Sequence, residues 1–85
     1  MPQITIYTTN YCPYCTAAKK LLAAKNVSFD EINVENNPEK RAWLVKTTGQ
    51  RTVPQIFIDG KSIGGFSELS ALDQEEKLDT MLDIK

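Results

Sequence analysis

Cys12-Pro13-Tyr14-Cys15 constrains this chain more than any other stretch, because it stands where a strand hands over to a helix. Ahead of it, Ile4-Thr5-Ile6-Tyr7 is rich in β-branched and aromatic residues, and this predicts a strand over Gln3–Tyr7. Behind it, Ala17, Ala18, Leu21 and Leu22 recur at helical spacing, which predicts a helix over Pro13–Lys25. Pro13 suits the first helical position, since its φ is pre-set and its missing N–H needs no partner there. A cysteine at such a junction faces backbone N–H groups and the positive end of the helix dipole, and both favour a thiolate. The two-residue gap lets the pair close a disulfide across one helical turn and reopen it. Thiol–disulfide chemistry is the first reading, with Cys12 as nucleophile and Cys15 as its partner.

Two other uses of the pair are weaker. A structural zinc site takes four Cys or His ligands, and this chain has two Cys and no His. A purely structural Cys12–Cys15 disulfide would close a very short loop, where a cross-link stabilises least. Small secreted domains that depend on disulfides also carry more cysteines. The 85 residues are expected to form one domain, 1–85, with a modest core. The formal net charge is −1, so no basic excess points to nucleic acid or an anionic membrane. No segment approaches a membrane span. Met1-Pro2-Gln3 leads straight into the first strand, so no signal peptide is expected. These features predict a cytoplasmic monomer in a reducing compartment, where a Cys-x-x-Cys is more often catalytic than structural.

The rest of the chain alternates. Asn26 is placed to end the first helix as a left-handed cap. Ser28–Val34 reads as a second strand, with Ile32 and Val34 inward. Asn37-Pro38-Glu39 combines an N-cap, a proline at the first helical position and an acid in the first turn. That helix should reach Thr47 or Thr48 and stop at Gly49, with Trp43 and Leu44 in or near the core. Gln55–Ile58 reads as a short apolar strand, Asp59-Gly60 as a hairpin turn and Lys61–Gly64 as the return strand. Ser67 is placed to cap a helix through about Leu72, and a last helical segment is expected over Gln74–Leu82, with Leu78, Met81 and Leu82 inward. Two strands joined through a helix should be parallel, with a right-handed crossover. The prediction is a thioredoxin-like α/β fold: a four-stranded mixed sheet flanked by helices, in the order β-α-β-α-β-β-α.

At this point the chain resembles a glutaredoxin of the dithiol class. Cys12-Pro13-Tyr14-Cys15 matches that family's active-site tetrapeptide, and Thr52-Val53-Pro54 matches its cis-proline loop. Gly64-Gly65, followed by Phe66-Ser67-Glu68, matches the turn that holds the glutamyl end of glutathione. The resemblance covers essentially the whole chain. It implies glutathione as co-substrate, no metal, and binding by Tyr14, Arg41, Thr52, Val53, Pro54, Gly65, Phe66 and Ser67. It also implies reduction of protein–glutathione mixed disulfides and protein disulfides by the Cys12/Cys15 pair. Glutathionylated and disulfide-containing proteins, ribonucleotide reductase among them, are the implied partners.

The motifs have physical readings of their own. A cis Val53–Pro54 bond would expose the Val53 backbone beside the thiol, where an extended cysteinyl peptide can pair with it like an added strand. The alternative for Pro54 is a plain strand-entry proline. Gly64-Gly65 permits a tight turn into a helix N-terminus, whose free N–H groups suit a carboxylate. Ser67 can serve there or simply cap its own helix. The chain also departs from its relatives. Ser67 stands where many carry Asp, so Glu68 is a candidate partner for the glutamyl ammonium group. Thr9 and Ala17 replace two residues that are usually basic. Arg41 is then the best remaining cation, ahead of Arg51 and Lys19, although a solvated helix face is an equal reading of it. Two rival functions share the tetrapeptide. One is a redoxin served by a flavoprotein reductase, against which Gly64-Gly65 and Ser67 argue. The other is an iron–sulfur carrier bridging two chains, against which the stiff Pro13 argues.

Overall fold

The computed structural model describes residues 3–82, so Met1 and Pro2 of the expected lead-in lie outside the described residues. The elements run β1 (Ile4–Thr8), α1 (Pro13–Ala24), β2 (Asp30–Asn33), α2 (Pro38–Thr48), β3 (Gln55–Ile58), β4 (Lys61–Gly64), α3 (Phe66–Gln74) and α4 (Leu78–Met81). The sheet order is β2-β1-β3-β4. β1 and β2 are parallel, while β1–β3 and β3–β4 are antiparallel. The mixed thioredoxin-like sheet expected from the alternation is therefore present.

Strand alternation divides the core between two faces. Ile4, Ile6, Ile56 and Ile58 pack with Ala18 and Leu22 of α1, Leu69 of α3, and Leu78 and Leu82 at the C-terminal end. Tyr7 and Phe57 point the other way and meet Val34, just after β2, and Leu44 of α2. Trp43, expected in or near the core, is 40 % exposed. One side of its ring stacks on Phe57 at 5.9 Å, and Lys40 Nζ lies 4.7 Å from its centroid. The indole covers the edge of the smaller core rather than filling it.

Local chemistry sets the element ends. Asn37 Oδ1 accepts from Lys40 N–H at 3.1 Å, which caps α2 behind Pro38, and Gly49 ends that helix. Asp59 and Gly60 both lie in the left-handed region, at φ 51° and 81°, the geometry of a two-residue hairpin turn. Asn26, at φ 58°, returns its N–H to Ala23 O after α1.

The bounds of β1, β2, α3 and the last helical segment differ from expectation. β1 sits one residue later, because Gln3 pairs with the hairpin turn instead of a strand: its carbonyl accepts from Asp59 N–H at 2.8 Å. β2 is shorter than Ser28–Val34, although Val34 N–H still reaches Thr8 O at 2.8 Å. α3 continues past Leu72 to Gln74, and the expected last segment shrinks to the single turn of α4. Glu76, at φ 60°, closes α3 with Lys77 N–H on Leu72 O at 2.9 Å. Lys25 then bridges Asp73 and Asp79 at 2.6 and 2.7 Å, tying α1 to both C-terminal helices.

Candidate active site

β1 delivers the chain through the Thr9–Tyr11 turn to Cys12, which is the N-cap of α1 in an extended conformation. The Cys12 sulfur accepts from Cys15 N–H at 3.3 Å and lies 3.7 Å from the carbonyl of Val53. Of the backbone N–H groups at the start of α1, those of Tyr14 and Cys15 are both free to face Cys12, and that of Cys15 is the one at hydrogen-bond distance. The sulfur therefore occupies the capping position, where a thiolate takes a donor bond and the favourable end of the helix dipole. Both thiols are free.

Cys15 is in a different environment. It is 2 % exposed, on the buried side of the first helical turn. Burial pushes its thiol up to about 12, and the Cys12 hydrogen bond and charge add to the effect. A hydrogen bond to the Thr9 backbone and the charge of Lys19 act in the opposite direction. The pair is thus asymmetric, as expected from their places in the helix: an accessible sulfur in the capping position and a buried thiol that keeps its proton.

The Val53–Pro54 bond is cis. Tyr14, Thr52, Val53, Pro54, Gly65, Phe66 and Ser67, all anticipated as binding residues, line one groove of about 240 Å³ together with Gln50 and Glu68. Tyr14 and Phe66 approach to 6.2 Å between ring centroids. Arg41 lies elsewhere, in an adjoining cavity of about 210 Å³ that it shares with Arg51. Gln50, Thr52 and Val53 form the wall common to both. Lys19, the third candidate cation, is engaged with Glu31 at 3.1 Å.

The turn into α3 departs from expectation. Its N-cap is Gly65, not Ser67, and Glu68 folds back so that Oε1 accepts from Gly65 N–H at 2.7 Å. Gly64, at φ 115°, makes that fold-back possible, since a Cβ there would stand 2.7 Å from Glu68 Oε1. One of the amides expected to await an anion is therefore bonded to Glu68. The amides of Phe66 and Ser67, at the first two helical positions, remain without intrahelical acceptors. Ser67 itself is exposed and does not cap the helix.

Two supporting groups escaped the sequence reading. Gln55, read as part of an apolar strand, is fully buried, and its Nε2 donates to Thr52 O at 2.9 Å and Gln50 Oε1 at 3.0 Å. It ties down the loop that carries Val53. A polar residue inside an otherwise apolar strand was its only signal. The second group is Glu31, whose carboxylate accepts from buried Thr8 Oγ1 at 2.8 Å and from Lys19. The Thr8 hydrogen bond, then the Lys19 ion pair, hold the Glu31 carboxyl below its usual range against the cost of partial burial. Stabilisation from a depressed carboxyl is present above the ordinary carboxylate range and is lost as pH falls through the folded-state value. Glu31→Gln is therefore expected to lower the unfolding free energy at pH 7, read from denaturant melts, by no more than about 1 kcal/mol, since the pair is partly solvated. The gap to wild type should close in acid. A gap that persists unchanged at low pH would show that the carboxylate charge is not what Thr8 and Lys19 hold.

A four-stranded mixed sheet, a Cys-x-x-Cys at the start of α1 and a cis-proline loop against the first sulfur together define a thioredoxin-like thiol–disulfide oxidoreductase. Comparison with known proteins narrows the class. The Glutaredoxin family model matches residues 4–63. Glutaredoxin 3 of Escherichia coli K12 is 49 % identical over 82 residues, covering 96 % of this chain and 99 % of its own length. Among solved structures, the buckwheat glutaredoxin–glutathione complex superposes with a TM-score of 0.92 at 33 % identity, over 96 % of this chain and 77 % of that one. The solution structure of glutaredoxin from Brucella melitensis does so at 0.88 and 45 % identity, over 99 % and 91 %. The chain belongs to the glutaredoxin family. Among the described residues, no helix is long and apolar enough to cross a membrane, and no group of three or more His, Cys, Asp or Glu is placed to hold a metal ion.

Proposed function

We propose that this chain is a glutathione-dependent oxidoreductase that reduces protein–glutathione mixed disulfides and protein disulfides. The observation that carries the reading is the position of the Cys12 sulfur, 3.7 Å from the Val53 carbonyl on the wall of the groove formed by Tyr14, Thr52–Pro54 and Gly65–Ser67. An extended cysteinyl peptide in that groove can pair with the Val53 backbone and bring its sulfur to Cys12. The glutamyl carboxylate is then met by the amides of Phe66 and Ser67, and its ammonium group by Glu68. Arg41 and Arg51, in the adjoining cavity, face the glycyl carboxylate and take over from the basic residues that Thr9 and Ala17 replace.

In the first step the Cys12 thiolate attacks the glutathione sulfur and the protein thiolate leaves. A second glutathione thiolate attacks the mixed disulfide, releasing glutathione disulfide and free Cys12. With a protein disulfide, Cys12 attacks first and Cys15 then displaces the substrate, closing the Cys12–Cys15 disulfide. The reading includes a single-domain, monomeric, cytoplasmic protein, with glutathionylated proteins and ribonucleotide reductase among its candidate partners.

A steady-state assay with a small glutathione mixed disulfide tests the proposal. Glutathione should sustain turnover and be recovered as glutathione disulfide. Reduction of the oxidised protein by a flavoprotein reductase but not by glutathione would replace this reading with that of a reductase-served redoxin.

A further inference from the structure

The turn before the nucleophile carries a feature that thiol chemistry does not require. Tyr11 sits at φ 54°, in the left-handed region, where a bulky side chain is a genuine outlier. Asn26, Asp59 and Glu76 also have positive φ, but each closes a helix end or a hairpin, and Asn and Asp tolerate this conformation well. At position 11 the backbone geometry would be met more cheaply by Gly or Asn. Packing does not repay the choice of tyrosine, because its side chain is fully exposed, at 101 %.

The turn is also held firmly. Asn10 N–H donates to Glu35 Oε1 at 3.1 Å, Asn33 Nδ2 to Asn10 Oδ1 at 2.9 Å, and Glu35 N–H to Asn33 Oδ1 at 2.9 Å. Strained backbone persists where its surroundings over-determine it, and such places gather at functional sites. Here a fixed turn presents an aromatic ring to solvent one residue from Cys12.

The direction of the reaction indicates what that ring meets. Thiol–disulfide exchange is a displacement at sulfur, with the attacking, central and leaving sulfurs in line. With glutathione in the groove of Tyr14, Val53 and Gly65, the leaving half of the substrate must extend away from it. Tyr11 lines neither that groove nor the adjoining cavity. It is a fully exposed aromatic next to Cys12 in the chain and outside the glutathione groove, free to meet the leaving half of the substrate.

We propose that Tyr11 determines specificity for the polypeptide half of the substrate, packing against residues that flank the substrate cysteine. The inference rests on the glutathione reading above. In the step concerned, the Cys12 thiolate bonds to the glutathione sulfur and the bond to the protein sulfur breaks. The electron pair leaves on the protein thiolate, which solvent protonates, and glutathione later restores Cys12. A glutathionylated protein gains the Tyr11 contact, and a small mixed disulfide has nothing to place there.

The test compares wild type, Tyr11→Asn and Tyr11→Phe on glutathionylated serum albumin and on the glutathione mixed disulfide of 2-mercaptoethanol. Asn accepts the backbone conformation without the ring, and Phe keeps the ring. Tyr11→Asn is expected to lower kcat/KM for the protein substrate about tenfold, mainly through KM, as loss of an aromatic anchor does. It should leave the small substrate within about twofold and the melting temperature at or above wild type. Tyr11→Phe should behave as wild type on both. Equal loss on both substrates, no loss on either, or failure of Tyr11→Phe to retain activity would overturn the proposal. Wild type that turns over neither substrate would instead remove the glutathione reading, and this inference with it.

Discussion

Cys12→Ser is expected to abolish turnover of every disulfide substrate, leaving only the uncatalysed exchange with glutathione. Serine cannot form a sulfur–sulfur bond, and no other group at the site can take over. Cys15 is the one remaining sulfur nucleophile in the sequence, but it is 2 % exposed, and burial, the largest effect pushing its thiol up, is left in place by the substitution. A thiol raised by burial is ionised to only a small fraction at pH 7. The thiolate is the reacting species, so Cys15 lacks both access and charge. The measurement is steady-state formation of glutathione disulfide, together with intact mass after exposure to glutathione disulfide. The variant should show no turnover and no glutathione adduct. Turnover above a tenth of wild type would make Cys15, not Cys12, the attacking sulfur.

The parts of this arrangement that were legible in the sequence are those made by neighbours in the chain. The Cys12 cap, Pro13, the Asn37-Pro38 start of α2 and the Asp59-Gly60 turn each depend on residues within one helical turn or one hairpin. Their chemistry is local, so the residue types announce it. The groove was legible for a different reason: three separated motifs match one family, and the sheet order β2-β1-β3-β4 brings β3, and with it the Thr52-Val53-Pro54 loop, beside β1 and the cysteines.

What stayed hidden depends on register and on competition between neighbours. Thr8 meets Glu31 across the parallel β1–β2 pair, 23 positions apart in the chain. Nothing local to either residue encodes that meeting. At the start of α3, Ser67 and Gly65 both suited the cap, and the choice fell to Glu68, whose side chain reaches Gly65 N–H. That bond also limits how many amides remain for an anion. Whether Trp43 lay in the core or at its edge could not be read locally, because a large apolar side chain can satisfy packing with one face, here against Phe57, while the other stays open. Tyr11 went unmarked because the cost of its backbone conformation is visible only in three dimensions.

Cys15→Ser should separate the two routes of the same site. Turnover of a glutathione mixed disulfide is expected to stay within a few-fold of wild type, because that cycle returns glutathione to Cys12 and never uses Cys15. Reduction of a protein disulfide should be lost, since nothing remains to displace the bound substrate. Burial is the main effect that keeps the proton on Cys15. Two of the effects that hold its proton on come from Cys12: the hydrogen bond and the charge of the neighbouring sulfur. Once Cys12 is consumed in a mixed disulfide its sulfur is neutral, and the charge effect disappears. The Thr9 backbone bond and the Lys19 charge still favour the thiolate. Loss of the Cys12 charge thus eases ionisation of Cys15 when it must attack, although burial, the largest effect, still holds its proton. Treating the wild-type protein with one equivalent of glutathione disulfide should yield the Cys12–Cys15 disulfide, at a rate that rises with pH because Cys15 must first lose its proton. The variant should stop at the Cys12–glutathione adduct and hold it until more glutathione arrives. Equal loss of both activities in Cys15→Ser would mean that Cys15 supports the Cys12 cap instead of resolving intermediates, and the division of roles between the two sulfurs would fail.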